Sequence, residues 1–222
     1  MTSYFVTATD TDAGKTMFTT AFIKLLRLQG IDAVPYKPIQ TGGLEDTEFA
    51  LEHNNISGKK EDFYSYSFEK PCSPHLASAL EDVEISINKI LDDFNELASS
   101  HERVIVEGVG GVMVPIGNGK FLLDVITELQ LPVILVIANK IGSINQSLLT
   151  IDKLSSVGFC PEILVFNDVD QADESILYNN VLTVKELTGI EKAIRIPFMD
   201  ELNLDDIVRI LSIGDTFESS FR

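Results

Sequence analysis

The chain has 222 residues, of which 45% are hydrophobic, and a formal net charge of −17 at pH 7. This size supports one full hydrophobic core, so we predict a single domain over residues 1–222, and the acidity excludes nonspecific nucleic-acid binding, which needs basic residues to neutralise phosphates. The longest apolar run, residues 131–138, is too short to span a bilayer, and the N-terminus lacks a basic signal segment, so we expect a cytoplasmic protein without a membrane partner.

The first predicted elements are a strand, a phosphate-binding loop and a helix. An apolar run over residues 4–8 precedes a small polar loop, and Gly14, Lys15 and Thr16 then open a helical pattern. Glycine lets the backbone approach a polyphosphate, whose oxygens bind the N–H groups of a helix N-terminus. We predict that Lys15 reaches the β- and γ-phosphates and that the Thr16 hydroxyl binds Mg²⁺. The strict G-x-x-x-x-G-K-[ST] pattern is not met, because Thr9 stands at the first glycine position.

The rest of the chain alternates strands with helices. We predict strands over residues 33–37, 103–108, 132–137, 163–168 and 193–196. We predict helices that begin near residues 46, 74, 87, 121, 143 and 205, and a further long helix that ends near residue 187. Pro38 is expected to close the second strand, and residues 55–70 have no clear assignment. The alternation predicts an α/β fold with a doubly wound, mostly parallel sheet of the P-loop NTPase type in one domain.

Polar residues at the strand ends define a candidate site. In parallel sheets of this type, ligands bind beyond the carboxyl ends of the strands. That rule gathers the loop before Lys15 with Lys37, Glu107, Asn139-Lys140, Asn167-Asp168 and Pro197 at one edge. Taken alone, each of these residues is more typical of a surface or helix-end position than of a functional site, and only their shared edge favours function.

Phosphoryl transfer needs positive charge and Mg²⁺ beside the γ-phosphate. Lys15 and Lys37 could supply the positive charge. A nucleotide-bound Mg²⁺ takes one or two carboxylates and a hydroxyl, which Asp46, Glu107 and Thr16 could provide.

Two other nucleotide-binding motifs are excluded. Residues 139–142 are similar to the guanine-reading Asn-Lys-x-Asp of GTPases, but Gly142 replaces the required aspartate. The glycines at 108 and 110 do not extend to the six-residue dinucleotide fingerprint.

Six segments, taken in chain order, resemble the dethiobiotin synthetase family. They are residues 7–16, Tyr36-Lys37-Pro38 with Thr41-Gly42, Ser73-Pro74-His75, residues 106–111, Gly142-Ser143-Ile144-Asn145, and Asn167-Asp168. The resemblance covers almost the whole chain. It implies a ligase of biotin biosynthesis that joins 7,8-diaminononanoate and CO₂ at the expense of ATP, with Mg²⁺, through a carbamate and a carbamic-phosphoric anhydride. It also implies a homodimer whose active site lies near the subunit interface.

The resemblance assigns roles to individual residues. Lys37 and Lys15 are implied to be catalytic, and Thr16, Asp46 and Glu107 are implied to hold Mg²⁺. Thr41 would contact the diamine or carbamate. The substrate carboxylate would bind Gly142, Ser143, Ile144 and Asn145 of the other subunit. The nucleotide would contact Asp12, Ala13, Gly14, Lys15, Thr16, Met17, Glu107, Gly108, Val109, Gly110, Asn167, Asp168, Pro197, Phe198 and Met199.

The chain departs from the family pattern at two places. The family's phosphate loop has a glycine, five further residues and then Gly-Lys-Thr, and Ala8 replaces that first glycine here. The glutamate that family members carry after Pro197 has no clear counterpart. We therefore expect weak base preference, with other nucleoside triphosphates accepted beside ATP. Two alternatives stay open. A partitioning-type ATPase usually carries a second lysine early in the loop, where residues 9–11 stand here, and a non-catalytic nucleotide-binding regulator would not need Lys37.

Overall fold

The computed structural model describes residues 3–201 and 203–213. The strands are β1 (Tyr4–Ala8), β2 (Ala33–Thr41), β3 (Tyr64–Phe68), β4 (Arg103–Gly111), β5 (Pro115–Gly117), β6 (Lys120–Phe121), β7 (Val133–Asn139), β8 (Ile163–Asp168) and β9 (Ala193–Ile196). The α-helices are α1 (Lys15–Leu28), α2 (Glu45–His53), α3 (Pro74–Glu81), α4 (Ile87–Ser100), α5 (Leu122–Leu129), α6 (Ser143–Ser155), α7 (Glu174–Thr188) and α8 (Leu204–Ile213). Within the described ranges, no helix is both long and apolar enough to cross a membrane.

Seven strands form one sheet in the order β3-β2-β4-β1-β7-β8-β9, and every neighbouring pair is parallel. Helices α1 and α8 pack an apolar core against one face of the sheet, while α4 and α5 pack a second core against the other. Strand β7, in the interior of the sheet, is buried at all seven positions, which explains its continuous apolar sequence. The predicted fold class is therefore confirmed, and all carboxyl ends of these strands meet at one edge.

The prediction that Pro38 closes the second strand is wrong, because β2 continues to Thr41. The strand changes neighbours along its length, pairing with β4 over residues 33–36 and with β3 from Lys37 onward. Pro38 has no registered partner in either ladder, so its missing N–H group breaks no pairing. The longer strand brings Lys37 and Thr41 to the same end of the sheet.

The unassigned segment 55–70 contains a 3₁₀ turn (Lys60–Phe63) and the edge strand β3. Aromatic residues alternate with serine along β3, which is the period expected of a strand. Strand β4 also runs further than predicted, to Gly111, and a short antiparallel hairpin of β5 and β6 follows it. Strand β3 and the longer β4 extend the seven-stranded sheet on the side that carries Lys37, whereas β5 and β6 form a sheet of their own.

Candidate functional site

The loop between β1 and α1 has the geometry of an anion-binding turn. Asp12 and Gly14 both have positive φ, at 57° and 96°, and Gly14 is the N-cap residue of α1, with no side-chain cap. A Cβ on Gly14 would lie 2.4 Å from the Nδ2 of Asn167, so glycine is required by both backbone angle and space. Ala8 lies in β1 and is buried, outside this turn. The alanine at this position therefore does not strain the loop.

Three predicted metal ligands converge around the ammonium group of Lys37. The Nζ of Lys37 lies 2.5 Å from Asp46 Oδ2 and 2.5 Å from Glu107 Oε1. The Thr16 hydroxyl donates to the same Glu107 oxygen at 2.9 Å. Lys37 and Glu107 are buried, whereas the Asp46 side chain is 45% exposed. The ammonium shows that a cation fits between these two carboxylates, and their oxygens with the Thr16 hydroxyl are donors that suit Mg²⁺.

Burial and charge shift the pKa values of this group in opposite directions. Burial lowers the pKa of Lys15 to about 8, against the attraction of Glu107. Burial also acts to lower the pKa of Lys37, but Glu107 and Asp46 together outweigh it and hold that pKa above its ordinary value. For Asp46, burial acts to raise the pKa, and the charge of Lys37 overcomes it to give a lowered value. Lys37 is thus held charged. For Lys15, the attraction of nearby carboxylates does not offset the cost of burying its ammonium group.

A cavity of about 420 Å³ opens over these residues. Its wall consists of Thr11, Asp12, Gly14, Lys15, Thr16, Met17, Lys37, Gln40, Thr41, Asp46, Glu107, Val109 and Gly110. The Nζ of Lys15 donates to the carbonyl of Asp10 at 3.3 Å. The structure therefore brings together both predicted lysines, all three predicted metal ligands and most of the predicted phosphate-binding residues.

Some predicted residues lie behind the cavity wall. Ala13 is buried, and its carbonyl accepts a hydrogen bond from Asn167 Nδ2 at 3.0 Å. A Cβ on Gly108 would meet Leu122 and Phe5 within about 3 Å, so this glycine serves helix packing. Ala13 and Gly108 therefore support the phosphate loop and the end of β4 without lining the cavity.

A second cavity of about 410 Å³ adjoins the first. The two share Thr11, Thr41, Val109 and Gly110, and the second is further lined by Pro71, Cys72, Ser73, Pro74 and Val114. Thr41 thus stands between a charged compartment and a more apolar one.

The residues predicted to contact the base are divided between two environments. The Asp168 carboxylate is buried and accepts from Arg195 Nε at 2.9 Å and from Asn139 Nδ2 at 2.7 Å. The side chain of Asn167, the preceding residue, instead contacts the phosphate loop. Residues 197–199 follow β9 directly at the sheet edge, with Pro197 and Phe198 exposed and Met199 packed partly against the core. Asp168 therefore belongs to an internal network, whereas Asn167 and 197–199 border the edge.

The segment 142–145 forms the N-terminus of α6. Gly142 has a φ of 93° and supplies no side-chain cap, and the Ser143 N–H donates to the Lys140 carbonyl at 3.1 Å, so the N–H groups of Ile144 and Asn145 stay open to a ligand. None of these four residues is among those that line the cavity of Lys15 and Lys37. Within one chain, the segment is separate from the phosphate compartment.

Gln40 and Thr11 line the main cavity but were not predicted from the sequence as site residues. Gln40 lies between Lys37 and Thr41 near the end of β2, and this position was the available signal. Because Pro38 was expected to end the strand, the residues beyond it were not placed on the sheet edge.

A glycine turn before a helix, with two lysines and carboxylates at the edge of a parallel sheet, defines a nucleotide-binding protein of the P-loop class. Solved structures with the same fold include the MinD cell division protein of Aquifex aeolicus, at a TM-score of 0.59 and 18% identity over 95% of this chain and 87% of that one. A ParA family ATPase from Chlorobium tepidum TLS gives a TM-score of 0.57 and 12% identity over 96% and 92%. These likenesses show the fold.

Sequence relatives identify the family. The family model described as AAA domain matches residues 2–205. The chain is 36% identical to the ATP-dependent dethiobiotin synthetase BioD of Clostridium botulinum (strain Alaska E43 / Type E3), over 84% of this chain and 86% of that protein. It is 32% identical to the protein of the same name from Halalkalibacterium halodurans, over 90% and 86%. The chain belongs to the family of ATP-dependent dethiobiotin synthetases, which confirms the family predicted from the sequence, and its ATP dependence.

Proposed function

We propose that the protein makes dethiobiotin from 7,8-diaminononanoate, CO₂ and ATP in a Mg²⁺-dependent reaction of biotin biosynthesis. The observation that carries the proposal is the group of Lys37, Asp46 and Glu107 beside Lys15, in a cavity that continues into a more apolar one. The charged compartment suits the triphosphate and the transferred phosphoryl group. The second compartment suits the hydrocarbon chain of the diamine, which can pack against Pro71 and Val114.

The reaction has three balanced steps. One amine of the substrate attacks CO₂, forming a C–N bond and releasing a proton to give a carbamate. A carbamate oxygen attacks the γ-phosphorus as the bond to the β-phosphate oxygen breaks, giving ADP and the mixed anhydride. The second amine attacks the carbamate carbon, phosphate leaves, and the ureido ring closes with loss of a proton.

The charged residues have separate tasks in this scheme. Lys15 binds phosphate oxygens, and its lowered pKa rises again when it meets that negative charge. Lys37 stands where charge develops between carbamate and γ-phosphate, so it stabilises the transition state. Thr16, Asp46 and Glu107 would hold Mg²⁺, which when bound supplies further charge neutralisation at the phosphates.

A substrate-dependence assay tests the function. We expect ADP release to require both the diamine and bicarbonate, and mass spectrometry to detect dethiobiotin in equal amount. ATP hydrolysis at a rate that does not depend on the diamine would contradict the proposal and favour a partitioning-type ATPase. Nucleotide binding without turnover under all conditions would favour a non-catalytic regulator.

The proposal includes a homodimer in which residues 142–145 of one subunit serve the cavity of the other. A helix N-terminus binds a carboxylate through free N–H groups and a favourable dipole. The same-chain segment does not line the cavity, while Ile141 and Leu149 beside it are 78% and 62% exposed. Exposed apolar residues flanking an unused carboxylate site support contact with a second copy.

Mixing two inactive variants tests this arrangement. Lys37→Gln removes the ammonium from one subunit's cavity, and Asn145→Asp places a negative charge where the other subunit would bind the substrate carboxylate. The two changes damage different subunits of each shared site, so a mixed dimer regains one intact site. Random reassociation of equal amounts should restore about one quarter of the wild-type rate. Each variant alone, incubated in the same way, is the control. Mixtures no more active than their components would show that each chain works alone.

A further inference from the structure

Gln40 has a buried side chain with one satisfied end and one unsatisfied end. It is 2% exposed and lines the cavity that contains Lys37, Asp46 and Glu107. Its Oε1 accepts a hydrogen bond from the Thr47 hydroxyl at 3.0 Å. Its Nε2 is buried and has no hydrogen-bond partner among residues 3–201 and 203–213.

The satisfied end bears on the position of Asp46. Helix α2 begins at Glu45, and its N-cap residue Leu44 provides no side-chain cap; Gly42 and Gly43 before it both have positive φ. Thr47 is 2% exposed and lies in the first helical turn, next to Asp46. The bond from Thr47 to Gln40 therefore ties the first turn of α2 to the end of β2, where Lys37 also lies.

The unsatisfied end requires an explanation. Buried amide N–H groups are nearly always paired in native proteins, because an unpaired donor loses its water without replacement. The cavity beside Gln40 is where phosphate and carbamate oxygens would lie in the proposed function. An anionic oxygen is a strong acceptor for an amide N–H.

We propose that Gln40 is a further residue of the phosphoryl-transfer site. Its Oε1 positions Asp46 through Thr47, and its Nε2 donates to an anionic oxygen of the bound γ-phosphoryl group or carbamate. The identity of that oxygen rests on the proposed function, whereas the positioning of Asp46 does not.

Three variants separate the two ends of the amide. Thr47→Val removes the anchor and leaves the amide in place. Gln40→Glu keeps an acceptor for Thr47 but replaces the donor, and Gln40→Met removes both. Glu48→Gln, on the same helix with its side chain 43% exposed, is the matched control. Melting temperatures establish that each variant is folded.

Thr47→Val should raise the half-saturating Mg²⁺ concentration for turnover by about tenfold, because Asp46 loses its fixed position. Gln40→Glu should retain the anchor for Thr47 and lose at least about tenfold in kcat, because the carboxylate removes one hydrogen bond made in the transition state and repels the anionic oxygen. Gln40→Met should show both effects. The proposal is overturned if Gln40→Met stays within about twofold of wild type in both measurements.

Calorimetry in the absence of the diamine identifies the accepting oxygen. At saturating Mg²⁺, where a displaced Asp46 no longer limits metal binding, a γ-phosphate acceptor predicts that Gln40→Met weakens binding of a non-hydrolysable ATP analogue but not of ADP. A carbamate acceptor predicts unchanged binding of both nucleotides with the loss confined to kcat. Equal weakening of both nucleotides would contradict a donor at the transferred group. These binding measurements remain informative if no dethiobiotin forms, so failure of the proposed function is distinguishable.

Discussion

The two halves of the sheet edge use similar residues in different ways. On the side of β1, β2 and β4, the lysines and carboxylates border a cavity and meet one another across it. On the side of β7, β8 and β9, the polar side chains mostly bond among themselves. Asn180 donates to Asn139, Asn139 to Asp168, and Arg195 bridges Asp168 and Glu174.

A charged residue at a strand end can therefore either bind a ligand or stabilise the fold, and the two halves differ in this respect. We call the side of β1, β2 and β4 the phosphate half. Its charged groups pair with one another next to the cavity, so a ligand oxygen or a metal ion can replace either partner. We call the side of β7, β8 and β9 the base half. Its polar side chains are already hydrogen-bonded to one another, so they hold these three strands and α7 together. Function should therefore depend on the first half and stability on the second.

The largest expected effect follows from Lys37→Gln. We expect kcat to fall about a thousandfold, or about 4 kcal/mol, because the variant loses a charge aimed at the developing transition state. Nucleotide affinity should change much less. Calorimetry with ADP and steady-state kinetics together measure the two quantities.

Lys15→Gln is the matched comparison for this prediction. It should weaken nucleotide binding, because Lys15 contacts phosphate in both ground and transition states. If both substitutions reduce nucleotide affinity equally, the division of roles between the two lysines is incorrect.

Arg195→Met tests the base half. The substitution leaves the Asp168 carboxylate, whose side chain is 2% exposed, without its cationic partner, so the free energy of unfolding should fall by about 3 kcal/mol. Denaturant titration measures this loss, and turnover per folded molecule should stay near wild type. Glu174→Gln, at the exposed end of the same bridge, should have little effect. Loss of turnover without loss of stability would assign Arg195 to the active site instead.

The phosphate half could be predicted from the sequence to a large extent. Continuous apolar runs identified the parallel strands, and the strand-end rule then placed Lys37 and Glu107 beside the loop of Lys15. The position of Gln40 could not be predicted, because the pairing of β2 with two different neighbours allowed the strand to pass Pro38. This change of neighbouring strand depends on residues far apart in the sequence, so the local sequence around Pro38 does not predict it.

The base half was predicted less well for a physical reason. Successive residues of a strand point to opposite faces, so Asn167 and Asp168 at the end of β8 do not share surroundings. The period alone could have shown that one of the two side chains faces away from the phosphate loop. It could not show that Arg195 is the partner of Asp168, since nothing local in the sequence records that pair.

The pKa of Lys15 predicts a pH dependence of nucleotide binding. Below pH 8 the ammonium is already charged in the free protein, so affinity for ADP should be nearly flat. Above its pKa of about 8, binding must take up a proton, and affinity should fall by up to about tenfold per pH unit. Calorimetry without Mg²⁺ at pH 7, 8 and 9 measures the slope. Lys15→Arg, which stays charged throughout this range, should remove it.

The smallest expected effect is discrimination between bases. Rejecting a wrong base strongly requires buried polar groups that lose their partners when it binds. The Asp168 carboxylate is already bonded to Arg195, and one N–H group of Asn167 is bonded to the Ala13 carbonyl. Pro197 and the exposed ring of Phe198 can pack against any base. The structure therefore offers few base-specific contacts.

We expect GTP and CTP to support ring closure alongside ATP, with values of kcat/KM within about tenfold of one another, since most affinity comes from charge-assisted bonds to the triphosphate. The comparison is made at saturating diamine and bicarbonate. Asn167→Ala should change the three values together, because its amide donates to the Ala13 carbonyl and so supports the phosphate loop. A preference for ATP of about a thousandfold, or about 4 kcal/mol, would contradict this account. It would show that the base half contains a reading contact in addition to its structural network.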